Sequence, residues 1–203
     1  MGINYRKLGD FDSSIHELKM AIDLNADKPS VHNNLGLSYF EKNEMDLAIQ
    51  EFNKAIKLEK QAVHYNNLGL AHFHNKQIED ALENFTLALE LNQTGDPTIY
   101  FNRGNAYLSE NLFEAALDDY ENAAKIAPLN PKYHHAKGIT FEALAAKIEK
   151  EHGRFKRFDV EDQPLESRFA EDQVVYLRDD YKKHCNQAIQ MYLQAVEVDE
   201  NFN

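Results

Sequence analysis

The sequence has no tryptophan and a single cysteine, Cys185, so no disulfide can form within the chain. A reducing compartment, and hence the cytoplasm, is the simpler expectation for such a protein. No apolar run approaches the ~20 residues that cross a bilayer, and the opening MGINYRKLGD has no hydrophobic signal segment. Basic residues are too few to balance the acidic ones, and the formal net charge of -12 opposes contact with phosphate backbones or anionic lipids. We therefore expect neither a nucleic-acid nor a membrane partner.

Patterns typical of catalytic sites are also missing. There is no phosphate-binding loop, GxSxG or HExxH sequence. His72 and His74 are two residues apart and would point in different directions on a helix, so they cannot form a metal-binding pair. The adjacent His134 and His135 meet the same objection. The sequence thus predicts a protein without enzymatic activity, metal or cofactor.

What the sequence does contain is an internal repeat. Glycine recurs at intervals of 33, 35 and 34 residues, at Gly36, Gly69, Gly104 and Gly138. The first three copies read HNNLGLSYF, YNNLGLAHF and YFNRGNAYL. Each is followed by alanine, an aromatic residue and alanine at 12, 16 and 19 residues after the glycine, namely Ala48, Phe52 and Ala55, then Ala81, Phe85 and Ala88, then Ala116, Tyr120 and Ala123. Such a period is typical of proteins built from stacked units.

This order of glycine, alanine and aromatic residues resembles the tetratricopeptide repeat over nearly the whole chain. Within each copy apolar residues recur three and four apart, which predicts amphipathic helices. The resemblance implies an all-α fold, a right-handed superhelical solenoid of antiparallel helix pairs. Glycine inside a helix costs roughly 1 kcal/mol relative to alanine, so its regular return predicts a close crossing of the paired helices.

We expect one solenoid over residues 1–203, as part of a longer repeat protein. It would comprise a partial repeat at 1–28, full repeats at 29–61, 62–96 and 97–130, and a fourth at 131–203. An insertion at about 149–185 interrupts the fourth repeat, because 38 extra residues separate Gly138 from its alanine, Ala188. Its first helix is predicted to run on to near Gly153, so that the insertion projects as a helical hairpin.

Residues between the paired helices are expected to adopt a left-handed backbone. Asn43 and Asn111 suit that conformation, whereas Lys76 in the equivalent place does not. A neighbour such as Asn75 is the alternative for that turn.

The main binding hypothesis concerns Asn34, Asn67 and Asn102, each two residues before its glycine. A column of carboxamides offers donors and acceptors that match the main chain of an extended peptide. It resembles the asparagine ladder in the concave groove of peptide-binding family members, and solvated surface asparagines are the alternative. The predicted pockets beside the ladder are formed by Leu37, Leu70, Asn105, Phe40 and Phe73, with packing between repeats an equal alternative for the two phenylalanines.

Three other modes of interaction are open. A carboxylate clamp for chaperone C-termini matches the family pattern at Asn102 and Lys132 but departs from it at Asn66, Leu70 and Ala136. The inserted hairpin has a basic and aromatic tip, made of Arg154, Phe155, Lys156, Arg157 and Phe158. Self-association through exposed end repeats is the third. The sequence therefore predicts a scaffold or adaptor that binds a protein or peptide segment.

Overall fold

The computed structural model of the chain describes residues 2–24, 27–92, 95–152, 183–188 and 190–191. These residues form helices joined by short turns and contain no strand, which confirms the predicted all-α class. The named helices are α1 (Gly2–Lys7), α2 (Phe11–Asp23), α3 (Pro29–Glu41), α4 (Met45–Leu58), α5 (Ala62–His74), α6 (Ile78–Glu90), α7 (Pro97–Ser109), α8 (Phe113–Ile126) and α9 (Pro131–His152). No helix in these ranges combines the length and apolarity that a membrane crossing needs.

Contacts divide the chain into two compact units, Met1–Ala106 and Tyr107–Asn203. In the first unit α1 packs on α2, α3 on α4 and α5 on α6, and the pairs stack through contacts of α2 with α3 and α4 with α5. The first helices of successive pairs also touch directly, α1 with α3 and α3 with α5. We call α1, α3, α5 and α7 the A helices and α2, α4 and α6 the B helices. This stacked arrangement of helix pairs is the predicted solenoid architecture.

The repeated glycine lies where the A and B helices cross. A Cβ atom added at Gly36 would be 2.7 Å from Cε1 of Phe52, and one added at Gly69 would be 2.7 Å from Cδ1 of Phe85. Both phenylalanine side chains are completely buried, so neither ring has space to move. Glycine recurs about once per helix pair because it is in direct contact with the aromatic residue sixteen positions later.

The turns between paired helices follow the predicted backbone. Asn43 and Asn111 have φ values of 62° and 59°, and Lys76 has a φ of 64°. The alternative of Asn75 is wrong, since its φ is -80°. Lysine has no local hydrogen bond that compensates the crowding of its Cβ in this conformation, which costs roughly 1–2 kcal/mol in a residue other than glycine.

Replacing Lys76 by glycine is therefore expected to stabilise the protein by about 0.5–1 kcal/mol, because the relief of crowding exceeds the added freedom of the unfolded chain. Urea denaturation followed by circular dichroism at 222 nm would measure the change. Lys76→Ala is the matched control, since it removes the same side chain but keeps the Cβ, and it should leave stability nearly unaltered. A Gly variant no more stable than the Ala variant would contradict the strain at this turn.

One buried polar cluster ties α3 to α4. His32 is 5% exposed, and its Nδ1 lies 2.6 Å from Oε2 of Glu51, itself 8% exposed. Its Nε2 lies 2.7 Å from Oδ1 of Asp27, which precedes α3. Lys54 donates to the other carboxylate oxygen of Glu51 at 2.8 Å. His32 is therefore held from both ring nitrogens by carboxylate side chains, one buried on α4 and one exposed before α3.

In the second unit α8 packs against α9. Lys137 donates to Glu121 across this pair, and that hydrogen bond holds the pKa of the Glu121 carboxyl below its usual value. Helix α9 has 22 residues where α3, α5 and α7 have 13, which confirms that the first helix of the fourth repeat is extended. The remainder of the predicted insertion, including its basic tip, falls almost entirely outside the described residues.

Candidate functional site

The candidate site is one side of the A helices in the first unit. Leu35, Gly36 and Tyr39 of α3 are buried, whereas Asn34 is half-buried and Glu41 is exposed. At 3.6 residues per turn, Asn34 lies roughly 160° around the helix from Gly36, and hence away from the crossing with α4. We call the side of the helix that runs from Asn34 round to Phe40, from about 160° to about 40° around from Gly36, the ladder face. On α3, α5 and residues 97–106 of α7 it comprises Ser30, Asn33, Asn34, Leu37, Phe40, Glu41, Val63, Asn66, Asn67, Leu70, Phe73, His74, Thr98, Phe101, Asn102 and Asn105.

Two of the three predicted asparagines are joined to the preceding repeat. Asn67 Nδ2 donates to Oδ1 of Asn33 at 2.9 Å, and Asn102 Nδ2 donates to Oδ1 of Asn66 at 2.9 Å. The two bonds connect the same positions, one repeat apart, so they form a regular feature of adjacent A helices. We call each bonded pair a rung.

A rung retains hydrogen-bonding capacity. In the first rung Asn33 keeps its Nδ2 as a donor and Asn67 keeps its Oδ1 as an acceptor, and the structure gives these atoms no further partner among the described residues. Neither atom is among the polar atoms sealed from solvent without a partner. If the oxygen and nitrogen positions of both carboxamides were exchanged, the rung would still keep one donor and one acceptor. Each rung thus keeps one donor and one acceptor, and in the first rung both asparagines are buried, Asn33 at 9% and Asn67 at 8% exposure.

Asn34 differs from the other two asparagines. Its Nδ2 donates to the backbone carbonyl of Ser30 at 2.7 Å, within its own helix. The carboxamide is therefore held by its own helix rather than by a neighbouring repeat. Its Oδ1 is not used by that bond, so Asn34 contributes an acceptor to the ladder face.

Apolar side chains lie beside the rungs. Leu37 and Phe40 are half-buried and pack on the core around Leu35 and Tyr39. Leu70 and Phe73 are also half-buried, and they pack on a second core cluster, formed by Ala81, Phe85 and Ala106. Two roles were expected for the two phenylalanines, lining a pocket and packing between repeats. The two roles are compatible, because each side chain packs on its repeat and still exposes part of its surface. Asn105, three residues after Asn102, is half-buried as well.

Asn33, Asn66 and His74 belong to the ladder face, although sequence reasoning gave them no role in the ladder or its pockets. Asn33 and Asn66 supply half of each rung, and their signal was present in the doublets Asn33-Asn34 and Asn66-Asn67. His74 is exposed at the end of α5 and meets Phe40 edge to face, with ring centroids 4.9 Å apart, and Phe73 likewise at 5.9 Å. These three rings form a continuous aromatic border to the face.

The electrostatics of the face are simple. Glu41 is its one ionised side chain, and no lysine or arginine occupies any of its positions in α3, α5 or residues 97–106. Arg103 belongs to the neighbouring side of α7, where it donates to Thr86 on α6 at 3.2 Å. The described residues contain no group of three or more histidine, cysteine or carboxylate side chains placed to hold a metal ion. Such a face suits a neutral polar ligand better than an anion.

Stacked helix pairs with a regular crossing glycine and an exposed A-helix face define a helical repeat protein of the kind that binds other proteins. The particular repeat follows from comparison with known families. The tetratricopeptide repeat family matches residues 2–42, 29–61, 62–94 and 97–130, and the chain belongs to this family. The resemblance drawn from the glycine and aromatic pattern is thereby confirmed.

Solved structures agree on the fold. A crystal structure of MamA shares 21% identity, covers 99% of this chain and 95% of that one, and superposes with a TM-score of 0.71. MamA residues 41-end from Desulfovibrio magneticus RS-1 are 16% identical, with a TM-score of 0.70, over 98% of this chain and 92% of that one. At these identities the likeness concerns the fold alone.

A third structure is the first TPR of Spaghetti (RPAP3) bound to the HSP90 peptide SRMEEVD. It is 28% identical and has a TM-score of 0.56, over 58% of this chain and 94% of that one. Comparison with curated proteins gave no match. The family and this complex support a role as a protein-interaction scaffold.

Proposed function

We propose that the chain binds an extended protein or peptide segment on the ladder face, through hydrogen bonds from the rungs to the main chain of the segment. The observation that carries the proposal is the recurrence of the rung at Asn33–Asn67 and Asn66–Asn102. Each rung presents a donor and an acceptor at the same place on successive helices, which is the complement of a peptide main chain.

Hydrogen bonds alone are too weak for this function. At a net ~0.5–1.5 kcal/mol each, a few rung contacts fall well short of the ~8 kcal/mol that micromolar binding requires. The remainder would come from apolar side chains of the partner that cover Leu37 and Phe40 on α3, and Leu70 and Phe73 on α5. The partner therefore needs both an accessible main chain and apolar side chains.

The test is a triple variant, Asn34→Ala, Asn67→Ala and Asn102→Ala. A random dodecapeptide library displayed on phage would be selected on the intact chain, and enriched peptides would be measured by fluorescence anisotropy. We expect the triple variant to bind them at least about tenfold more weakly, since it loses about 1.4 kcal/mol or more of main-chain contact. Affinities equal to those of the native chain would count decisively against the ladder.

The control uses asparagines of the B helices. Asn84 on α6 donates to the carbonyl of Asp80 four residues earlier, as Asn34 does to Ser30, and Asn53 is exposed on α4. Asn53→Ala with Asn84→Ala should leave peptide affinity unaltered. In the triple variant the loss of two rung bonds should also lower stability, by about 0.5–1.5 kcal/mol each. Binding is therefore compared at a temperature where circular dichroism shows both variants fully helical.

The clamp for acidic C-termini is less well supported. The peptide in the RPAP3 complex is rich in carboxylates, whereas the ladder face of the first unit offers it no lysine or arginine. A net charge of -12 adds repulsion. A peptide ending in MEEVD should consequently bind more weakly than uncharged peptides from the library.

A further inference from the structure

The spacing of the rungs restricts the conformation of a bound segment. This inference rests on the proposed function, since it concerns the same face. α3 and α5 are in direct contact, α5 and α7 are joined by the bond between Asn66 and Asn102, and packed helices lie about 8–10 Å apart. A bound chain must therefore advance about 8–10 Å to pass from one rung to the next.

Only some backbones advance by that distance and return to the same orientation. A β-strand rises about 3.3 Å per residue, so two residues fall short, at roughly 6.6 Å, and three residues turn the next side chain to the opposite face. A polyproline II helix rises about 3.1 Å per residue with three residues per turn, and therefore presents the same face again after about 9.3 Å. Inside an α-helix the main-chain N–H and C=O groups are bonded to one another, so they cannot pair with successive rungs. The polyproline II geometry is the one that offers each rung an equivalent peptide unit.

The apolar side chains repeat with the same spacing. Leu37 and Phe40 on α3 are followed one repeat later by Leu70 and Phe73 on α5. His74 lies between these two sets, because its ring meets the edge of both phenylalanines. A segment with its main chain on the rungs would place an apolar side chain over the first set and another over the second, three residues further along.

Charge restricts the other side chains. Glu41 on the ladder face would repel a carboxylate, and no basic residue of that face in the first unit would attract one. We propose that the occupant is a polyproline II-like segment without acidic residues that carries apolar side chains three positions apart. It is recognised through its main chain at the rungs and through that three-residue spacing.

Three synthetic dodecapeptides of one composition test the spacing. Each contains two leucines in an uncharged host of proline, glutamine and serine, with the leucines separated by two, three or four positions. Fluorescence anisotropy with the intact chain should give at least tenfold tighter binding for the separation of three. Leu70→Ser should reduce that preference to less than threefold, because the second apolar set then keeps only Phe73, while the affinities of the peptides with separations of two and four change little.

The outcomes separate this inference from the proposed function. If a peptide with leucines two or four positions apart binds more tightly than the peptide with leucines three positions apart, the proposed spacing is wrong. If that binding is still lost in the Asn34, Asn67 and Asn102 triple variant, the proposed function stands. Failure of all three peptides to bind also overturns the inference, and the library selection then decides the proposed function independently. Equal binding to the native chain and the triple variant overturns both.

Discussion

Replacing Phe52 by alanine is expected to destabilise the protein by about 3–5 kcal/mol, the largest effect of any single change considered. The ring is completely buried between α3 and α4 and belongs to the core cluster of the first unit. Removing it takes away the burial of an aromatic side chain and leaves a cavity beside Gly36. Urea denaturation followed at 222 nm measures the loss, and Leu47→Ala on the same helix is the control, since Leu47 is 40% exposed and should cost under about 1 kcal/mol.

A double-mutant cycle with Gly36 makes this prediction more specific. In the native chain Gly36→Ala places a Cβ 2.7 Å from the Phe52 ring and should cost about 1 kcal/mol net, because overpacking exceeds the gain in helix propensity. In the Phe52→Ala background the obstacle is gone, and the same change should stabilise the protein by up to about 1 kcal/mol. The sign of the effect therefore reverses between the two backgrounds. Additive effects of the two changes would contradict the contact as the reason for the glycine.

The second large effect concerns the buried pair of His32 and Glu51. Changing Glu51 to asparagine removes the carboxylate that accepts from His32 Nδ1 at 2.6 Å and leaves a buried ring nitrogen without a partner. We expect a loss of about 3 kcal/mol, the upper end of the range for a buried polar group left without its hydrogen-bond partner. Asp27→Asn, at the exposed end of the cluster, should cost under about 1 kcal/mol.

The repeats themselves supply the rescuing change. The positions of His32 and Glu51 relative to Gly36 correspond to Tyr65 and Asn84 relative to Gly69. The double variant His32→Tyr with Glu51→Asn therefore introduces the two residue types that the next repeat has at these positions. Its stability should return to within about 1 kcal/mol of the native chain, because replacing both members of a buried hydrogen-bonded pair is far less costly than removing one. A double variant as unstable as the single one would show that the pair is not an independent unit.

The sequence predicted those features that repeat. The repeated glycine was predicted to lie at a close helix crossing, and the structure adds that the side chain it meets there is the aromatic one, Phe52 for Gly36 and Phe85 for Gly69. The helix pairs and the extension of α9 followed from the same register. Where a position departs from the repeat, the prediction was weaker: Lys76 itself adopts the left-handed backbone that was also considered for Asn75.

Partnerships between side chains from different repeats were not predictable in the same way. The bond from Asn67 to Asn33 joins residues 34 positions apart and depends on how closely α3 and α5 approach, which periodicity does not give. The pair of His32 and Glu51 occurs in one repeat and therefore leaves no periodic signal. The binding role of Asn34, Asn67 and Asn102 stays a prediction, and the structure adds Asn33, Asn66 and His74 to it.

Because every rung takes one asparagine from each of two neighbouring repeats, the element of recognition is the seam between repeats. Removing one helix pair, or moving it into another protein, would alter the seams on both its sides. A single repeat moved in this way should therefore not bring the binding activity with it. Conversely, a ligand that bridges several seams would hold adjacent A helices at a fixed separation and stiffen the first unit along its length.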